Sequence, residues 1–87
     1  MPYHKNKQQA FQAAEQGHKQ TLDAYAYSQL VKEEADYGKQ LKHVKEEINE
    51  TYAQIENAME VASDTQRRQL EQYKQDLQSI VNEVNID

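Results

Sequence analysis

The side chains best suited to chemistry in this chain are its three histidines, His4, His18 and His43. An imidazole can ligate a metal or shuttle a proton, and its nitrogen can accept a phosphoryl group. Glu15-Gln16-Gly17-His18 has the Glu-x-x-His spacing, which sets both side chains on one helix face and recurs in di-iron carboxylate bundles. Such a site needs a second copy of the motif and further inward-facing glutamates. A homodimer would supply the second copy by symmetry. Glu15 and His18 are therefore the metal candidates, but Gly17 sits inside the motif, and the expectation is no metal and no other cofactor. His43 lies among Lys39, Lys42 and Lys45, the surroundings a phosphoacceptor histidine on a helical bundle would want. Lysines at that density also suit any solvated helix face. All three histidines are expected on the solvated surface.

Other constellations carry less. Glu46, Glu47 and Glu50 form an acidic cluster, but paired carboxylates do acid–base work only where a pocket shifts their ionisation. Arg67-Arg68 follows Asp64 by three and four residues, which explains that basic spot by local pairing. The chain has no cysteine, hence no disulfide framework and no thiolate chemistry. It has no phosphate-binding glycine loop, zinc spacing or nucleophile elbow. The expectation is a protein that is not an enzyme.

Composition narrows the class further. The 87 residues are enough for one domain. Hydrophobic residues make up 37% and mean hydropathy is −1.14, too little for a thick spherical core. The net charge of −5 argues against nucleic acid and anionic lipid, which want a basic surface. No apolar run exceeds the four residues Ala24–Tyr27, whereas a membrane-spanning helix needs about 20. Nothing behind Met1-Pro2-Tyr3-His4-Lys5 reads as the apolar part of a signal peptide. A cytoplasmic location is expected.

The elements that must position these residues are helices. Pro2, Gly17 and Gly38 are the only helix-breaking residue types. Apolar residues recur at steps of three, four or seven: Leu22, Ala26, Leu30, Tyr37, Leu41, Val44, Ile48, Tyr52, Ile55, Met59, Ala62, then Leu70, Tyr73, Leu77, Ile80 and Val84. All lie within roughly 60° of Ile55 on a helical wheel. Glu33 and Glu34 interrupt the stripe. Thirteen glutamines are interleaved at helical spacing and read as solvated faces. Ser63 and Gln66 fit a capping box, with Asp64 suited to a helix N-terminus.

The expected fold is all-α: a short N-terminal helical segment, a long middle helix over about 19–62 and a C-terminal helix over about 65–84, folded as a hairpin. One continuous helix from 19 to 84 stays open, because the stripe keeps its phase through Ser63–Thr65. Residues 1–18 are expected to be frayed or to form a separate short helix. The middle helix would span roughly 65 Å and the last only about 30 Å. The first half of the middle helix would then lack a cover, which either the Phe11 segment or a second chain must supply. That imbalance predicts a homodimeric bundle or antiparallel coiled coil, and room for a protein partner. Its interface would draw on Leu22, Tyr25, Leu30, Tyr37, Leu41, Val44, Ile48, Ile55, Leu70, Tyr73, Leu77 and Ile80. Tyrosines, with a large apolar body and a polar tip, suit such a surface.

Ala24-Tyr25-Ala26-Tyr27 followed by Leu30, Tyr37 and Leu41, together with Ser63-Asp64, Gln66-Arg67, Gln69-Leu70 and Leu77-Gln78-Ser79, resembles the small YtzC-like proteins of bacillus-type bacteria over about residues 19–80. The resemblance implies a bacterial, cytoplasmic protein. It implies no activity and no site residues. The functional expectation is a self-associating helical interaction or scaffold protein. The alternative is a metal-binding or histidine-phosphotransfer bundle.

Overall fold

Helix formers fill this chain, and its computed structural model, which describes residues 6–84, folds them into three helices: α1 (Lys7–Leu30), α2 (Tyr37–Met59) and α3 (Asp64–Val84). The lengths are 24, 23 and 21 residues. At 1.5 Å per residue each is roughly 32–36 Å long, so each can cover the others end to end. The bundle measures 49 × 26 × 19 Å.

Local signals set several ends. The Asn6 side chain accepts from the Gln9 amide at 3.0 Å and starts α1. The capping box of α3 is formed in both directions: the Gln66 amide donates to Ser63 Oγ at 3.2 Å, and the Ser63 amide donates to Gln66 Oε1 at 3.1 Å. Asp64 occupies the first turn of α3. Arg67 turns back and donates to the Met59 carbonyl at 3.3 Å, satisfying a group that the end of α2 leaves open.

The expected long middle helix over 19–62 does not form. The break falls at residues 31–36, and α1 runs unbroken through Gly17. Residues 7–18 therefore belong to α1 and are neither frayed nor separate. No glycine or proline marks the break. Lys32, Glu33, Glu34, Ala35 and Asp36 are all exposed there, while Val31 is buried and anchors the end of α1. The interruption of the stripe at Glu33-Glu34 was the visible sign. The cause is tertiary, because folding α1 back buries a face of α1 against α2.

The core is built from Val44, Ile48, Ile55 and Ala58 of α2 and Leu70, Tyr73, Leu77 and Ile80 of α3, with Ala10 and Ala14 of α1. The contribution of α1 is unlike the other two. Its buried residues are Ala10, Ala14, Gly17, Thr21 and Ser28, all small. Such side chains let backbones come close, and α1 and α2 approach each other more extensively than either approaches α3. A Cβ placed on Gly17 would collide with Gln54 Oε1 and lie 2.7 Å from Thr51 Oγ1. Gly17 thus lies where α2 side chains come close against α1, an approach that its lack of a side chain permits.

Candidate interaction surface

The placement of the small face decides what α1 shows to solvent. Leu22, Ala26 and Leu30 follow one another at four-residue steps, running from the flank of the small face at Leu22 to the side opposite Thr21 at Leu30. Leu22 is 38% exposed, Tyr27 52% and Leu30 82%. Among the described residues these are the exposed large hydrophobic side chains, and all three fall within one stretch of α1. Tyr25 is half-buried, with Glu83 of α3 and Tyr37 near its hydroxyl. Burial first, then those two groups, raises the Tyr25 hydroxyl above the usual tyrosine range.

The other expected interface residues divide cleanly. Val44, Ile48, Ile55, Leu70, Tyr73, Leu77 and Ile80 are buried inside the single chain. In the closed bundle they form its core, not a surface between copies. Leu41 and Tyr37 are half-buried. The length imbalance that pointed to a dimer is absent, because most of the half expected to be bare belongs to α1, which folds back against α2.

Between α1 and α2 the small face carries a polar layer. Thr21 Oγ1 donates to the Gly17 carbonyl at 2.8 Å and lies 3.1 Å from Thr51 Oγ1. Gln54 Oε1 is buried beside Gly17 without a hydrogen bond. Ser28 Oγ donates to the Tyr25 carbonyl at 2.6 Å. Hydroxyls that bond to their own helix backbone in this way can be buried at low cost.

Between α1 and α3 lies a cluster that the sequence did not reveal. The His18 side chain is only 15% exposed, a correction to its expected place on the solvated surface. Its ring stacks on Tyr73 at 4.2 Å, and its Nε2 lies 2.7 Å from Asp76 Oδ2. Gln72 donates to the other Asp76 oxygen at 3.1 Å. Phe11 packs on the same tyrosine at 6.3 Å between ring centres. Phe11, His18 and Tyr25 are seven residues apart, so this aromatic line faces α3. Burial pushes the Tyr73 hydroxyl above the usual tyrosine range, and the carboxylates of Glu15 and Asp76 push in the same direction.

As a metal site the cluster is poor. His18 Nε2 is already engaged by Asp76, and Glu15 is exposed. Among the described residues no three His, Asp or Glu side chains converge. His43 is 55% exposed, as the surface reading expected, with Glu47 Oε2 3.8 Å away. An open groove beside it is lined by Gln20, Asp23, Ala24, Tyr27, Gln40 and Glu47. His4 lies outside the described residues. Among the described residues no helix is long and apolar enough to cross a membrane.

Comparison with protein-family models, with curated proteins and with solved structures gives no match to this chain.

Proposed function

We propose that the chain is a non-enzymatic helical interaction protein that binds through the outer face of α1. The observation that carries this reading is the line Leu22, Ala26, Leu30, with Tyr27 beside it. An i, i+4, i+8 series is the spacing by which a helix seats its side chains between those of another helix. Scattered single exposed leucines need no explanation; two leucines and a tyrosine gathered within nine residues of one helix favour a contact surface. A second copy of the chain is the first partner to test, and another helical protein is the second. The acidic, cysteine-free composition suits a cytoplasmic setting.

Sedimentation equilibrium of the intact protein against Leu22→Glu/Leu30→Glu tests the reading. The expected result is self-association that weakens at least tenfold in the variant, with unchanged helical circular dichroism. Equal behaviour of the two proteins, together with no loss of any captured partner, would remove the α1 face from consideration. The metal-binding or phosphotransfer alternative has less to stand on, since Asp76 already occupies His18 and Glu47 lies beside His43.

A further inference from the structure

The turn between α2 and α3 is only residues 60–63, and it is an unusual stop. Glu60 keeps helical backbone angles, φ −64° and ψ −27°. Among the described residues no backbone φ is positive, so α2 does not end in the left-handed cap that closes many helices. Residues 39–87 hold no glycine or proline. The Ser63/Gln66 capping box is the local device that turns the chain.

If the box opens and residues 60–63 become helical, α2 and α3 join into one helix over 37–84, roughly 70 Å long. Its apolar residues stay in phase. Val44, Ile48, Ile55, Ala62, Leu70, Tyr73, Leu77 and Ile80 would form one seam within roughly 60° of Ile55. Apart from Ala62, which is half-buried in the turn, these are the side chains that α2 and α3 contribute to the core of the closed bundle. The extended form therefore exposes the seat of α3 and presents, at the correct register, the helix that fills it. The α2–α3 pairs Glu56–Lys74, at 3.5 Å, and Tyr52–Gln78, at 3.5 Å, centre on residue 65, where two such helices would cross antiparallel.

We propose that the α3 seat takes α3 of a second copy of this chain, in a domain-swapped dimer whose α2 and α3 are one continuous helix. Exchange of an identical element is a low-cost route to a dimer when the hinge is short. Each native contact is kept between chains. What differs is the turn, where the box is lost and helical backbone bonds are gained. This contact uses α2 and α3 and is independent of the α1 face.

The chain has no cysteine, so Glu56→Cys/Lys74→Cys places one reactive pair across α2 and α3. A short bismaleimide links that pair within one chain in the closed bundle and between chains in the swapped dimer. The dimer fraction from gel filtration is linked, denatured and run on a gel. Ser63→Ala/Gln66→Ala in this background should tighten the dimer roughly tenfold, since each of two chains gives up a cap that only the closed form uses. Covalent dimers should appear. Asp64→Pro should return the protein to monomer, because proline suits the first position of α3 but breaks a helix running through it. Leu22→Glu/Leu30→Glu should leave the yield of covalent dimers unchanged. A dimer fraction that yields only internally linked monomers overturns the proposal. So does a helical, monomeric capping-box variant at every concentration to roughly 1 mM. Should that variant fail to fold, the cysteine pair alone, refolded from urea at high concentration, decides by the same gel.

Discussion

His18 Nε2 sits 2.7 Å from Asp76 Oδ2, tying α1 to α3 across 58 positions of chain, while the same imidazole stacks 4.2 Å from the Tyr73 ring. One residue thus makes a polar and an aromatic contact to adjacent turns of α3. The two are separable. His18→Phe keeps a ring over Tyr73 and drops the hydrogen bond; His18→Ala loses both. In urea denaturation His18→Phe should cost about 1 kcal/mol and His18→Ala about twice that. Asp76 is 34% exposed on its side chain, which keeps its share small. Asp76→Asn should add almost nothing on top of His18→Phe. Fully additive losses would show that the two residues do not interact.

The two glycines within helices should respond oppositely to alanine. Gly38 has open space where a Cβ would go, so Gly38→Ala should stabilise by about 0.5–1 kcal/mol. At Gly17 the same propensity gain meets Gln54 and Thr51. The glutamine can swing aside, but a threonine in a helix is stiff at its first torsion. Overpacking of this kind costs about 1–3 kcal/mol. Gly17→Ala should therefore be destabilising on balance, by about 1 kcal/mol. Thermal melts of the two variants side by side check it, and a stabilised Gly17→Ala would contradict the close approach of α1 and α2.

The buried threonine pair is asymmetric. Thr21 Oγ1 donates to the Gly17 carbonyl, and Thr51 Oγ1 lies against Thr21. Thr51→Val leaves Thr21 its carbonyl partner. Thr21→Val strips Thr51 of its neighbour and removes the second, side-chain donor to the Gly17 carbonyl. An unsatisfied buried group costs about 1–3 kcal/mol. Thr21→Val should thus be the more damaging of the two, and the double variant should cost less than the sum. Chemical denaturation midpoints decide.

Stability should fall in alkali through Tyr73 and Tyr25. Burial is the largest cause of both raised values, so the folded chain holds each phenol proton more tightly than the unfolded chain does. The unfolded chain releases the proton near pH 10.0, while the folded chain still binds it. Stability from this source is whole below that pH and is lost as pH rises through the higher folded value. Tyr73→Phe should flatten the fall in melting temperature above pH 10 relative to the parent protein. An identical alkaline limb in both would assign the fall elsewhere.

Much of this architecture is local and was legible in the amino-acid order. The scarcity of glycine and proline, the apolar period of Val44, Ile48 and Ile55, and the Ser63/Gln66 box specify helical elements and the start of α3. Those signals act within a few residues or along one helix face, so the chain carries them without reference to its fold. The end of α1, the role of its small face and the burial of His18 are different. Alanine, glycine, serine and threonine leave no hydrophobic period to read. The phase of α2, carried back through residues 31–36, puts Leu22, Ala26 and Leu30 on one stripe with Val44, Ile48 and Ile55, as a single face for a partner. Only the close packing of α1 on α2 divided that stripe: it chose the line Ala10, Ala14, Gly17, Thr21, Ser28 for the inside of α1, buried the α2 residues in the core and left the leucines exposed. Close approach is a property of two surfaces together, and no stretch of one helix encodes it alone.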